Sequence, residues 1–400
     1  MEFGPIFRTL TRNKTRFILI SLEVALTLAI VVNCINMMLH TRGQINRPTG
    51  LDESSLIAIT SLPFAPDFKE KQYLNNARKA DVEMMRTIPG VIAAEAITAF
   101  PLSGSGSSSG YKPLGDKKNT VGTGYFEAGI DILNALGVRL AQGRNFVESD
   151  VNEAKSKNVI ITKAFADRLF PRGDALGKQI QSRTAENPHT IVGITEPMMG
   201  SWPSWRNVTH VTFFPGQPGN FNWGLRYIVR APSSQVPALI PKLEKELLKL
   251  NNGRNVELKT ISEMKARTYE ANVAVMKMLS AVIFLLIFVT ALGIVGITSF
   301  SVTERTHHIG TRRALGARRL DIVRYFLLEN WIITLLGVTV GVGLTYGLNY
   351  LLVTFINGDK MDWKLVAGGV LLLWFTGLSS AFAPALRGAR IKPALATRTV

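Results

Sequence analysis

Residues 173–179, GDALGKQ, are the nearest this sequence comes to a phosphate-binding loop. Such a loop cradles nucleotide phosphates with backbone N–H groups, reaches them with a lysine, and holds the metal with a Ser or Thr hydroxyl. Here three residues separate Gly173 from Gly177 where four are needed, and Gln179 stands in the hydroxyl position. The stretch reads as a turn after a helix, and no nucleotide is expected to bind this chain. Five histidines and one cysteine offer no metal-ligand spacing. His307 and His308 are adjacent, so a helix would not aim both at one ion. Cys34 has no partner for an internal disulfide. No nucleophile–base set is visible, so the residues assign the chain no catalytic group, no metal and no cofactor.

What stands out instead is a block of charge, ERTHHIGTRRALGARRLDIVRYFLLEN, residues 304–330, with six arginines between two apolar runs. It has internal order. Thr303 is placed to cap a short helix, and Gly316 fits the position after a helix end. Beyond it Leu320, Val323 and Leu327 fall on one helical face. Two readings compete. The arginines set membrane orientation, or the block is a handle that another protein grips, and pressure on the bend would move both flanking helices.

The elements that carry this block follow from hydropathy. The 400 residues are 46% hydrophobic and 19% charged, with a net charge of +17. Residues 278–303, 330–358 and 365–386 contain no charge. Each exceeds the roughly 20 residues that span a bilayer core. Residues 17–38 are apolar except for Glu23, Asn33 and Asn36. That run is too long for a signal-peptide core, and no small-x-small cleavage site follows, so it reads as an anchor helix. Basic residues cluster at Arg8, Arg12, Lys14 and Arg16, in the 304–330 block, and at Arg387, Arg390, Lys392 and Arg398. The positive-inside rule then puts both termini and the block in the cytoplasm. The expectation is an α-helical membrane protein with four transmembrane helices and a large extracytoplasmic α+β domain inserted between helices 1 and 2. Its parts are a basic segment 1–16, helix 17–38, outer domain 39–270, helix 271–303, cytoplasmic segment 304–328, helices 329–357 and 364–385, and a tail 386–400. The basic balance suits anionic lipid headgroups and requires no nucleic acid.

Within 39–270, SLIAIT, VIAAEAITAF, HTIVGIT, LRYIVRA and NVELKTIS read as strands. Residues 76–88, YFEAGIDILNALG and PALIPKLEKELLKLN read as helices, NVIITKAFADRLF as strand into helix, and PLSGSGSSSG (101–110) as a loop. Residues 262–303 read as one helix joining the outer domain rigidly to the membrane. Trp202, Trp205, Phe213, Phe214, Phe221 and Trp223 are either core or a contact surface. Glu23 either faces a cavity or partner helix or snorkels towards Lys14 or Arg16. Asn33, Asn36 and His40 share a helical face, either in a subunit interface or at the membrane edge. GVTVG (337–341) and GLTYG (343–347) are small-xxx-small patterns that would pack on helices of this chain or of a second copy.

The spelling of residues 302–330, VTERTHHIGTRRALGARRLDIVRYFLLEN, directly after an apolar helix, resembles the signature of MacB/FtsX-type ABC transporter permeases. GYFEAGIDILNALGVRLAQGRNF (124–146), VIITKAFADRLFPRGDALGKQI (159–180) and PALRGARIKPALATR (384–398) look like other parts of that family. The resemblance implies a bacterial inner-membrane permease acting as a dimer with a second or homologous copy. It implies cytoplasmic ABC ATPase subunits that hold ATP and Mg, and a possible periplasmic adaptor. Glu304, Arg305, Arg312, Arg313, Ala314, Leu315, Gly316 and Ala317 match the family's coupling helix position by position. His308 and Thr311 depart, where the family commonly has an acidic and an aliphatic residue, which fits a specialised branch or one half of a heterodimer. The implied function is export of a peptide, toxin or antibiotic. Lipoprotein extraction, force relay to cell-wall enzymes and a membrane-anchored peptide sensor are the alternatives.

Overall fold

The structure, a computed structural model, describes residues 14–116, 120–152, 157–182, 188–219, 222–356 and 360–391. Arg8, Arg12, Lys392, Arg398 and Phe221 lie outside the described residues. The helices are α1 (Lys14–Ile45), α2 (Lys71–Thr87), α3 (Ile132–Leu136), α4 (Glu148–Asn152), α5 (Lys163–Leu169), α6 (Val236–Leu250), α7 (Ile261–Thr268), α8 (Glu270–Glu304), α9 (Thr306–Ala314), α10 (Arg319–Ile356) and α11 (Trp363–Ala389). The strands are β1 (Leu56–Pro63), β2 (Ala93–Ala96), β3 (Ser107–Pro113), β4 (Val121–Ala128), β5 (Leu140–Gly143), β6 (Asn158–Thr162), β7 (Gln179–Ser182), β8 (His189–Thr195), β9 (Val211–Pro215), β10 (Leu225–Arg230) and β11 (Arg254–Thr260). They form two units, Gln44–Ala271 and the remainder.

In the remainder, α1, α8, α10 and α11 are long and apolar enough to cross a membrane. At 1.5 Å per residue, the 35 residues of α8 reach well beyond the roughly 30 Å hydrocarbon core. Helix α10 begins at Arg319, ahead of the uncharged run, because Asp321 accepts the Arg318 backbone N–H at 2.8 Å and caps it. The helices meet through small residues. A Cβ added to Gly341 would lie 3.0 Å from Ala25 Cα, and one added to Gly369 would lie 2.3 Å from Val32 Cγ2. A separate small core of Val302, Ile309, Ile322, Val323, Phe326, Ala385 and Ala389 ties α9 to the ends of α8, α10 and α11.

The Gln44–Ala271 unit contains two sheets. The four-stranded sheet runs β11-β1-β10-β2 and is antiparallel throughout. With α2 after β1 and α6 after β10, it is a split β-α-β arrangement whose two halves are separated in sequence by the second sheet. Leu74, Val82 and Met85 of α2 and Leu239, Leu243 and Leu247 of α6 repeat at helical spacing and bury against Ile57, Ile59 and Val229. The seven-stranded sheet runs β5-β8-β6-β9-β4-β3-β7, and β7 also pairs with β8, closing it on itself.

Four expectations are corrected. The unit is not the α+β domain expected. Its larger sheet mixes parallel β4–β9 and β6–β8 pairs with antiparallel ones, so it is a mixed α/β fold. The supposed loop 101–110 ends in β3, because Ser107 to Gly110 find backbone partners on β4 that their composition does not reveal. YFEAGIDILNALG begins as the end of β4, through Ala128, and is helical only over Ile132–Leu136. The single helix expected over 262–303 is interrupted at Tyr269, which is buried and adopts φ −94°, ψ 1°.

One polar cluster is wholly enclosed. Arg254 and Asp81 are 2% and 0% exposed. Arg254 Nη1 and Nη2 both donate to the Asp81 carboxylate, Nη2 at 2.8 Å, and Nη2 also donates to Leu247 O at 2.7 Å. Tyr227 Oη donates to Asp81 at 2.5 Å. Burial first, and then the Asp81 charge, push the Tyr227 hydroxyl well above its ordinary range.

Candidate functional site

Helix α9 ends in a tight reversal. Gly316 N–H donates to Arg313 O at 3.2 Å and Ala317 N–H to Arg312 O at 3.0 Å. That is the paired bonding of a helix closed by a left-handed residue. Gly316 supplies it with φ 97°, which a side chain would strain. On one side α9 is anchored by buried Ile309 and Gly310. On the other, Arg312 and Ala314 are exposed and Leu315 is 84% exposed at the turn. Arg313 and Ala317 are half-buried.

Arg305 and Glu304 behave differently from the tip. Glu304 ends α8 and is exposed. Arg305 turns inward, donating from Nη1 to Glu329 Oε2 at 2.8 Å and from Nη2 to Glu329 Oε1 at 3.0 Å. Nη1 also donates to Tyr325 Oη at 3.2 Å, and Arg312 lies over the Tyr325 ring at 5.2 Å. A two-pronged, half-buried pair of this kind fixes geometry well. It locks the start of α9 to α10. Sequence reasoning misses Glu329. The signal that could have found it is an acid directly beside an apolar run.

Two details of the block differ from expectation. Thr303 does not cap α9. It remains inside α8, donating to Ser299 O at 3.0 Å, and Arg305 is the residue before α9. Leu320 is not on the buried face. It is 71% exposed, and Ile322, Val323 and Phe326 face inward. Leu315 and Leu320 are thus both exposed, as are Arg312, Arg318 and Arg319.

The membrane-embedded polar residues point into the bundle. Glu23 packs on Gly293 of α8, where an added Cβ would lie 2.8 Å from Oε2, and it hydrogen-bonds Thr290. Thr290 also bonds Thr27 at 2.8 Å. Glu23 is therefore part of an α1–α8 seam. Asn33 donates to Ala29 O at 2.8 Å and to Thr345 O on α10 at 3.2 Å. Asn36 is also buried. GVTVG packs on α1 of the same chain, whereas Gly343 and Gly347 of GLTYG have nothing within 4 Å.

In the other unit the aromatic segment divides. Phe213 is core, Trp202 and Trp205 stack edge-on at 5.7 Å beside Gly122 and Gly124, and Trp223 is 68% exposed. Residues 173–179 lead into strand β7 and not into the helix that a phosphate loop requires.

Known proteins resemble this chain in sequence. Residues 19–244 match the MacB-like periplasmic core domain family, and residues 280–393 match the FtsX-like permease C-terminal family. The macrolide export ATP-binding/permease protein MacB of Neisseria gonorrhoeae is 29% identical over 310 residues, covering 74% of this chain and 46% of that protein. The chain therefore spans about half the length of that relative. The uncharacterized ABC transporter permease YknZ of Bacillus subtilis is 26% identical over 272 residues, covering 66% of this chain and 67% of YknZ. The crystal structure of the periplasmic region of MacB from Actinobacillus actinomycetemcomitans aligns with a TM-score of 0.37 at 13% identity, covering 55% of this chain and 94% of that one. With family matches across both units, the chain belongs to the MacB/FtsX-type ABC transporter permeases and is a membrane protein with a MacB-like periplasmic domain.

Proposed function

We propose that this chain is the permease subunit of an ATP-driven transporter in the bacterial inner membrane, and that α9 with the Gly316 turn is its coupling helix. Separate cytoplasmic ATPase subunits would hold ATP and Mg. A second permease, identical or homologous, would complete the assembly, with anionic lipid around the basic flanks and possible help from a periplasmic adaptor. The periplasmic domain, inserted between the first and second membrane helices, would move as a lever and drive export of a peptide, toxin or antibiotic.

The observation that carries this reading is the 84% exposure of Leu315 on a turn closed by two backbone hydrogen bonds and anchored by the Arg305–Glu329 pair. A segment serving only as a charge signal needs neither an apolar tip nor a rigid base. Entry of Leu315 into an apolar pocket is worth about 2–3 kcal/mol. Exposed pairs made by Arg312 or Arg318 add roughly 0–1 kcal/mol each.

Copurification of the ATPase with tagged permease tests this. Leu315→Ala should reduce recovery more than Arg312→Ala. Gly316→Val should retain membrane insertion and lose transport, because valine does not tolerate φ 97°. Normal ATPase recovery and transport in both the Leu315 and Gly316 variants would eliminate the coupling role.

A further inference from the structure

Two arginines of the periplasmic unit are almost wholly buried, Arg254 at 2% and Arg78 at 4% exposure. Arg254 has the Asp81 carboxylate. Among the described residues Arg78, on α2, hydrogen-bonds neutral amides alone, donating to Asn75 Oδ1 at 2.9 Å and Gln217 Oε1 at 2.9 Å. A hidden guanidinium without a carboxylate is costly. Burial lowers the Arg78 pKa, against the opposing pull of Tyr227 and Glu95.

Arg78 lines a cleft of about 340 Å³, within the range of about 300–1,000 Å³ usual for small-ligand sites. The cleft's own buried acid is already committed. Glu95 takes Arg86 at 3.2 Å, the Asp131 N–H at 3.0 Å and the Ala96 N–H at 2.9 Å. Lys79 also lines the cleft, and no ion pair engages it among the described residues. Glu83, one turn after Lys79, and Glu148, on α4, supply the opposite sign.

We propose that this cleft binds a small zwitterionic ligand, an amino acid or a short peptide, with Arg78 holding its carboxylate, Lys79 adding positive charge at the exposed rim, and Glu83 and Glu148 facing its ammonium group. A planar guanidinium matches a carboxylate in two-pronged fashion. The two glutamates disfavour a phosphate dianion in the same space. The binding does not rest on the coupling role of α9, since it is measured without nucleotide or ATPase.

Calorimetric titration of the full chain in detergent tests it, using alanine, trialanine, trialanine amide, N-acetyl-trialanine and inorganic phosphate. Alanine or trialanine should bind saturably, and the tighter of the two assigns amino acid or peptide as the class. Trialanine amide, N-acetyl-trialanine and phosphate should each bind at least about tenfold more weakly. Arg78→Gln should lose about tenfold or more in affinity. Because Arg78 is buried, the exposed Lys79→Ala and Glu148→Gln serve as folding-neutral checks. Glu148→Gln should weaken trialanine and leave N-acetyl-trialanine unchanged. The proposal is overturned by an absence of saturable binding of both alanine and trialanine. Equal binding of trialanine and its amide, or unaltered trialanine binding in both exposed variants, also overturns it.

Discussion

Arg254 in the periplasmic unit and Asn33 in the membrane helices are about equally hidden, at 2% and 3% exposure, yet their donor groups are satisfied in different ways. Arg254 meets a full opposite charge on Asp81 and a backbone carbonyl, inside a shell of Leu243, Leu247, Tyr227 and other apolar neighbours. Asn33 is neutral and reaches two backbone carbonyls, Ala29 O in its own helix and Thr345 O in α10. The periplasmic unit excludes water by burying apolar surface, so its helices converge on large side chains. The membrane helices gain nothing by hiding leucine from lipid, so they converge on Gly337, Gly341, Gly369 and Gly377 and on short side-chain hydrogen bonds. The surrounding solvent decides which device holds each unit.

Removing one half of the buried ion pair should give the largest effect. Asp81→Ala leaves Arg254 and Tyr227 without their shared carboxylate and should cost about 3–5 kcal/mol. Denaturant unfolding of the full chain in detergent, followed by hydrogen exchange at β1, β10 and β11, should show their amides losing protection first. Undiminished protection would mean that the pair is not what holds α2 to the sheet.

Next in size is a test of the glycine contacts. Gly341→Leu forces a side chain against the Ala25 backbone and should cost about 1–3 kcal/mol. Gly347→Leu meets open space and should leave the detergent melting temperature of a single copy unchanged. Equal shifts in the two variants would break the distinction between the two halves of α10.

Acid should act on the periplasmic unit through Asp150. Burial pushes this carboxyl up, but Arg144, the Val147 N–H and Asn158 outweigh it and bring it down to about 2. The folded value lies below an unfolded value near 3.9. The stabilisation is therefore complete above about pH 5 and is lost as pH falls through 2, by at most about 2.6 kcal/mol. Asp150→Asn should flatten that part of the stability–pH curve. The smallest expected change is Thr27→Val, which removes the Thr27–Thr290 bond between α1 and α8 and should cost about 1 kcal/mol in thermal melts.

Signals carried by neighbouring residues are legible in the amino-acid order. Apolar length marks the membrane helices, Gly316 marks the end of α9, and β-branched runs such as NVIIT mark β6. Where a strand is short or polar, as in β3, β5 and β7, its own residues say little, because its hydrogen-bond partners lie on other segments. The same limit hides Glu329, which meets Arg305 from 24 residues away.

The sequence by itself determined where water-avoiding helices form, where α9 must turn, and which residues stand at that turn, since hydropathy and backbone freedom are properties of adjacent residues. Only the tertiary structure decided that Arg305 faces inward while Leu315 and Leu320 face out. It alone placed Glu23 on Gly293 and left Arg78 in a cleft hydrogen-bonded to neutral amides. Those outcomes depend on which distant segments pack together, and a side chain's partner there is chosen by geometry that no local pattern encodes.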